Sequence, residues 1–311
     1  MNRRVSLVLL LVAWGSAADL SAQDVLVYSK PLFAFVLPSE DAREEKPIRG
    51  VTVVAARGEY EAAMFVVHTP VDLKQVTVRL ERDLTTKRRT LFPKGNVDIR
   101  VVKVWKQFPP TVVVKPGTEP IVVPELLVKD DTVAISDGWR GRVYLPPSFP
   151  SEVRTDIPAG TSKQFWLTVW VPEESQPGVY RGSLEILANR VVVKRLPLTL
   201  RILPFRLPKP KKTFVIYFRG RVSETGGAEY LPESIYLAQL KDIKAHGFSG
   251  VTIYETEPEA VEEAFRRVQK VGLEGPIVQM VAFLKGPAAD LRPFVEIARR
   301  FGYTPFFLRT G

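Results

Sequence analysis

Cysteine is absent from the 311 residues, and there are only two histidines and three methionines. Without thiols there can be no disulfides, no thiolate metal site and no thiol nucleophile. Histidine is too sparse for a metal cluster or an imidazole-based triad. His68 falls in a strand-like run, and His246 falls at a helix C-terminus, where positive charge is favourable. No metal and no cofactor are therefore expected. After the N-terminus no run is long and apolar enough to span a bilayer, so no stable membrane insertion is expected.

Charge of one sign is not concentrated either. The chain carries 44 Lys and Arg against 34 Asp and Glu, a formal charge of +10. The basic residues are scattered among acids, apart from Lys87-Arg88-Arg89 and Lys209-Pro210-Lys211-Lys212. No nucleic-acid motif accompanies them, so they read as solvated surface and linker, and nucleic acid is not an expected partner. Nothing in the sequence sets an oligomeric state.

What is present begins with a secretory pattern. Arg3 and Arg4 precede an apolar stretch from Val5 to Trp14, and Ser16-Ala17-Ala18 and Leu20-Ser21-Ala22 each offer a small-residue cleavage site. The apolar stretch is about half of the ~20 residues a spanning helix needs. Residues 1–22 are thus expected to be a cleaved signal, and the mature chain periplasmic or extracellular.

Residues 23–203 show strand grammar. Phe165, Leu167, Val169 and Val171 alternate with Gln164, Trp166, Thr168 and Trp170, the period of a strand with one buried face. A turn at Glu173–Gly178 leads to a second run, Gly178–Leu187. Ala188-Asn189-Arg190 then makes a tight hairpin into Val191–Ile202, with Asn189 suited to a left-handed conformation. Val51–Val54, Glu59–His68, Val76–Leu80, Val97–Trp105 and Thr111–Val114 read as further strands. Many short strands with this punctuation predict a β-sandwich. Trp166 and Trp170 share a strand face and read first as core or interface, second as a sugar-stacking platform. Trp105 and Trp139 read the same way.

Pro204 to Lys212 is rich in proline and lysine, which predicts a stiff linker at 204–212 crossed by neither helix nor central strand. In 213–311 the pattern alternates. Strands are expected at Thr213–Arg219, Gly250–Tyr254, Ile277–Phe283 and Thr304–Arg309, with helices at Pro232–His246, Glu257–Val271 and Leu291–Phe301. Thr256-Glu257-Pro258-Glu259 has the form of a capping box. Val261, Ala264, Phe265 and Val268 form one stripe, and Leu291, Phe294, Val295 and Ala298 another. Each helix ends in glycine followed by an apolar residue: Gly247-Phe248, Gly272-Leu273 and Gly302-Tyr303. The fold class is thus multidomain, β plus α/β: a β-sandwich, then an incomplete (β/α)8 TIM-type barrel of about four strands and three helices. A doubly wound sheet is the alternative, without the glycine-rich loop of its nucleotide-binding form.

Several blocks together carry a family resemblance. They are Ala56–Val67 (ARGEYEAAMFVV), Pro124–Asp131 (PELLVKDD), Ile157–Val169, Pro177–Gly182 (PGVYRG) and Leu196–Pro204. In order and spacing the chain resembles exported proteins of the glycoside hydrolase family 123 type, in which a sandwich precedes a (β/α)8 catalytic barrel. Arg57, Glu59, Glu61 and Arg181 in these blocks read as ties between strands and loops. The resemblance implies hydrolysis of β-linked N-acetylgalactosamine or a related N-acetylhexosaminide by a substrate-assisted mechanism. In that mechanism an Asp orients the acetamido group and an adjacent Glu is the acid/base. The implied place for that pair follows an aromatic strand end, here Thr304–Phe307, where the chain instead reads Leu308-Arg309-Thr310-Gly311. Neither catalytic residue is carried over. The chain as given is expected to be a truncated or frameshifted reading of a longer protein, inactive by itself and left with an open sheet edge.

Barrel enzymes place chemistry at the C-terminal ends of their strands. The candidates there are Tyr217, Arg219, Tyr254 and Glu255, with Phe283 and Arg309 beside them. Aromatic rings suit sugar faces, and Arg and Glu suit hydroxyls and an acetamido carbonyl. Glu255 reads alternatively as a solvated residue beside Thr256, and Arg219 as solvated surface. The expected partner is a glycan. A second function class, a non-catalytic carbohydrate-binding or cell-surface interaction module, stays open, as does a structural module among exported proteins.

Overall fold

The computed structural model describes residues 25–107, 117–132, 135–136, 143–144, 150–208, 211–223, 229–280, 291–303 and 307–309. The predicted signal, the strand at Thr111–Val114, Trp139 and Phe283 lie outside the described residues. The chain divides into two compact units between Leu207 and Pro208.

The front unit is built from strands. They are β1 (Leu26–Tyr28), β2 (Val51–Arg57), β3 (Glu59–Thr69), β4 (Leu73–Leu80), β5 (Leu84–Thr85), β6 (Leu91–Phe92), β7 (Val97–Gln107) and β8 (Ile121–Val128). They continue with β9 (Ile135–Ser136), β10 (Val143–Tyr144), β11 (Thr155–Ile157), β12 (Thr161–Val171), β13 (Gly178–Ala188) and β14 (Val191–Arg206). One sheet has the order β1-β3-β12-β7-β8 and another the order β11-β4-β13-β14-β2, with β5 paired to β13 and β6 to β5. The two sheets share one apolar core. The predicted alternation holds on β12: Phe165, Leu167, Val169 and Val171 are buried in that core, and Phe165 stacks on Phe65 at 5.4 Å. Trp166 and Trp170 therefore point to the opposite, outer face. This corrects the core reading for Trp170 alone; Trp166 packs against a second, smaller apolar cluster of Tyr28, Val36, Ala42, Met64 and Val66.

The hairpin at Asn189-Arg190 closes with both residues at positive φ, the backbone of a two-residue primed turn. Asn189 sits there as expected.

The expectation for Pro204 is corrected. β14 runs on to Arg206 and pairs in parallel with β2, Arg206 opposite Arg57. Its pairing with β13 ends at Ile202, and the ladder with β2 is irregular between Ile202 and Arg206. Pro204 falls in that irregular stretch, where its missing N–H costs little.

The rear unit holds β15 (Val215–Ile216), α1 (Glu233–Ala245), β16 (Gly250–Ile253), α2 (Pro258–Val271), β17 (Val278–Met280), α3 (Arg292–Arg300) and β18 (Phe307–Arg309). Its four strands form a parallel sheet in sequential order. Its core joins Val251 and Ile253 from β16, and Ile277 just before β17, to Leu240, Phe265 and Ala298 from the three helices. The three glycine stops close as predicted. Gly247, Gly272 and Gly302 all have positive φ, and Phe248, Leu273 and Tyr303 donate back to Ile243, Val268 and Ala298. This paired pattern satisfies carbonyls that the helix ends would leave open.

Two helix details are corrected. The N-cap of α2 is Glu257 with Pro258 at the first helical position, and no side chain caps it, so the box at Thr256 does not form. Proline needs no acceptor for a backbone donor there, and its φ already suits the helix. On α3, Ile297 rather than Val295 joins Phe294 and Ala298 in the core.

Candidate functional site

The described strand ends of the rear unit gather the residues singled out from sequence. Thr252 sits on β16 and reaches the segment after β15. Its hydroxyl accepts from Phe218 N at 2.8 Å and donates to Phe218 O at 3.2 Å. Phe218 is buried against Tyr236 of α1 in an edge-to-face contact at 4.9 Å. Period-two alternation then turns Tyr217 and Arg219 away from this contact. Tyr217 is 53% exposed.

Arg219 forms an ion pair with Glu229, and its guanidinium carbon lies 5.7 Å from the centroid of the Tyr254 ring. That is within cation–π range. The structure thus brings Arg219 and Tyr254 together at the ends of β15 and β16, beside the exposed Tyr217. Arg219 thus carries both an aromatic and a carboxylate neighbour at these strand ends.

Glu255 is corrected. It is 1% exposed, not solvated. Its Oε1 accepts from Val222 N at 2.6 Å, its Oε2 accepts from the Ser223 hydroxyl, and Arg221 Nη2 lies 3.7 Å from Oε2. Its backbone carbonyl accepts from the buried Gln279 amide at 2.7 Å. The carboxylate holds the loop after β15 against the end of β16, so its acceptor capacity is spent inside the protein. Tyr236 packs nearby. Burial raises its phenol pKa well above the ordinary value, and the Glu255 charge adds to that rise.

Gln279 is the residue that sequence reading missed. It is fully buried on β17, and only the strand register, Ile253 opposite Gln279, places it beside Glu255. A polar residue in an otherwise apolar strand was the available signal. For Arg309 only the backbone position, on β18, is described. Among the described residues no three His, Asp or Glu side chains gather as metal ligands, and no helix is long and apolar enough to cross a membrane.

Residues 38–188 match the glycoside hydrolase 123 N-terminal domain. Among solved structures, a family 123 glycoside hydrolase from Clostridium perfringens, studied for glycolipid glycan hydrolysis, is similar with a TM-score of 0.60 at 14% identity. That likeness covers 82% of this chain and 48% of the other, so this chain spans about half the length of that enzyme. PapD-like domain 7 of human CEP192 matches 65% of this chain and 98% of its own at 10% identity, with a TM-score of only 0.25, which carries no argument. No curated protein matches the chain. Residues 38–188 are thus similar to the N-terminal domain of family 123 glycoside hydrolases, a match that spans most of the two-sheet front unit, and the chain shares its fold with the Clostridium perfringens enzyme.

Proposed function

We propose that this chain is the front part of an exported glycoside hydrolase acting on β-linked N-acetylgalactosamine or a related N-acetylhexosaminide. The front unit is read as a β-sandwich and the rear unit as the opening of a (β/α)8 barrel. The match over residues 38–188 carries the reading. The sequential parallel order of β15 to β18 supports the barrel, because doubly wound sheets reverse direction at a switch point.

In this reading the bond is broken with help from the substrate itself. The acetamido oxygen attacks the anomeric carbon as an acid protonates the leaving oxygen, and water then opens the bicyclic intermediate. This departs from the usual two-carboxylate scheme. Tyr217, Arg219 and Tyr254 would line the sugar at the strand ends, with the rings on pyranose faces and the guanidinium on hydroxyls or the acetamido carbonyl. Glu255 serves as a positioning residue, fixing the loop at 221–223. No Asp is followed directly by Glu anywhere in the chain, so the adjacent Asp-Glu pair of this scheme is not among these 311 residues.

The test is release of nitrophenol from a β-N-acetylgalactosaminide, by the 311-residue chain and by a version carrying further barrel strands. Turnover is expected only from the longer form. Turnover by the 311-residue chain would mean that its own residues supply the chemistry. Failure of the longer form on both galacto- and gluco-configured substrates would overturn the reading.

A further inference from the structure

The outer face of the sheet β1-β3-β12-β7-β8 carries residues for which barrel catalysis has no use. Trp166, Thr168 and Trp170 all point outward from β12 and are half-buried, Trp166 with one side against the small apolar cluster of Tyr28, Val36, Ala42, Met64 and Val66. Trp170 lies opposite Tyr60 of β3, and their rings are 4.4 Å apart at 33°. Tyr60 remains 51% exposed. Four residues along the strand, about 13 Å away, Trp166 meets Phe33 at 6.5 Å, and Phe33 is 87% exposed.

Thr168 lies between the two tryptophans, and a polar row flanks them on the neighbouring strand β7. Thr168 lies opposite Asp98, and Trp166 lies opposite Arg100. Asp98 accepts from Arg100 Nε at 2.6 Å and from Lys129 Nζ, and Arg100 Nη1 donates to Leu127 O at 3.2 Å. Burial alone would raise the Asp98 carboxyl pKa. The hydrogen bonds from Lys129 and Arg100 outweigh it and hold the group below its ordinary range. The row is thus a charged network fixed in place by its own bonds.

The combination discriminates between occupants. The centre of a protein–protein interface is depleted of charge, and a charged row beside these rings works against that use. Sugar rings need the reverse: flat apolar faces to cover their C–H surfaces, and fixed donors and acceptors beside them for hydroxyls. Two cations on one carboxylate leave the row with excess positive charge, which favours oxygen-rich ligands.

We infer that this outer face is a glycan-binding platform, separate from the strand-end site, on which one β-linked chain lies along β12 with rings over Tyr60–Trp170 and over Trp166–Phe33. The inference does not depend on hydrolysis. It would stand for a catalytic or a non-catalytic chain.

The test is calorimetric titration of the full chain with N-acetylchitohexaose, cellohexaose and desulfated chondroitin oligosaccharide, with tryptophan fluorescence followed in parallel. At least one is expected to bind with a Kd of about 1 mM or tighter and to perturb the tryptophan emission. Trp170→Ala and, separately, the surface change Tyr60→Ala should each weaken binding about tenfold or more. Leu91→Ala, an exposed position on β6 of the other sheet, should leave it unchanged. Circular dichroism verifies folding, and Tyr60→Ala keeps the test decisive if Trp170→Ala fails to fold. Absence of binding by all three glycans overturns the inference. So does unaltered affinity in folded Tyr60→Ala, or loss of binding in Leu91→Ala alone, which would move the ligand to the other sheet.

Discussion

The two units reach stability by opposite routes. The front unit uses long strands, eleven residues in each of β3, β7, β12 and β13 and sixteen in β14, and its two sheets bury apolar alternates against each other. The rear unit uses described strands of two to four residues. Its core comes largely from helices, and its strand ends are stitched by the buried polar groups Thr252, Glu255 and Gln279. A sheet faced by another sheet can be specified by period-two patterning alone. Short parallel strands leave little ladder to hold their ends, so side chains take over that task.

This contrast sets the order of expected effects. Phe165→Ala should be the most damaging, because it empties a fully buried site stacked on Phe65. A loss of about 3–5 kcal/mol is expected, read as a lower denaturant midpoint of the front-unit transition. Glu255→Ala should cost the rear unit about 2 kcal/mol, because it strips the acceptor from Val222 N and the Ser223 hydroxyl. Hydrogen exchange at residues 222 and 223 should accelerate while β12 stays protected. Equal acceleration in both units would break the comparison. Gly272→Ala places a side chain at φ 74° and should cost about 1–2 kcal/mol, seen as a lower melting temperature with the front unit unaffected.

The smallest effect is expected at Asp98, and it depends on pH. Its folded pKa is depressed, so its contribution is complete above the unfolded carboxylate value and is lost as pH falls through the lower folded value. The melting difference between the native chain and Asp98→Asn should therefore be widest near neutrality and close in acid. A difference that grows in acid would reverse the sign and refute the account.

What could be read from the sequence follows the same division. The core face of β12, the hairpin at Asn189 and the glycine stops of all three helices are local patterns, and all appear as expected. The parallel pairing of β14 with β2 is not local, since Leu198 meets Val51 across most of the unit. Pro204 misled because its cost depends on whether its neighbour needs a donor, which only the sheet order reveals. That Arg219 and Tyr254 fall near each other was legible because strand ends are marked by position. The burial of Glu255 was hidden because its partners lie on another loop, at Arg221 to Ser223. The row Asp98, Arg100 and Lys129 was hidden for the same reason: it exists only once β7 is placed beside β12 and β8.

The place of β14 also imposes an order in time. It lies between β13 and β2, so the second sheet of the front unit stays open until the chain has been made as far as Arg206. Until then β2 has no partner along that edge, and β13 has one neighbour fewer. Contacts this far apart in the chain form slowly. The rear unit pairs each strand with the next and need not wait. During synthesis the earlier half of the polypeptide is therefore the half that spends longer unfinished, with apolar strand edges exposed to whatever receives the nascent chain.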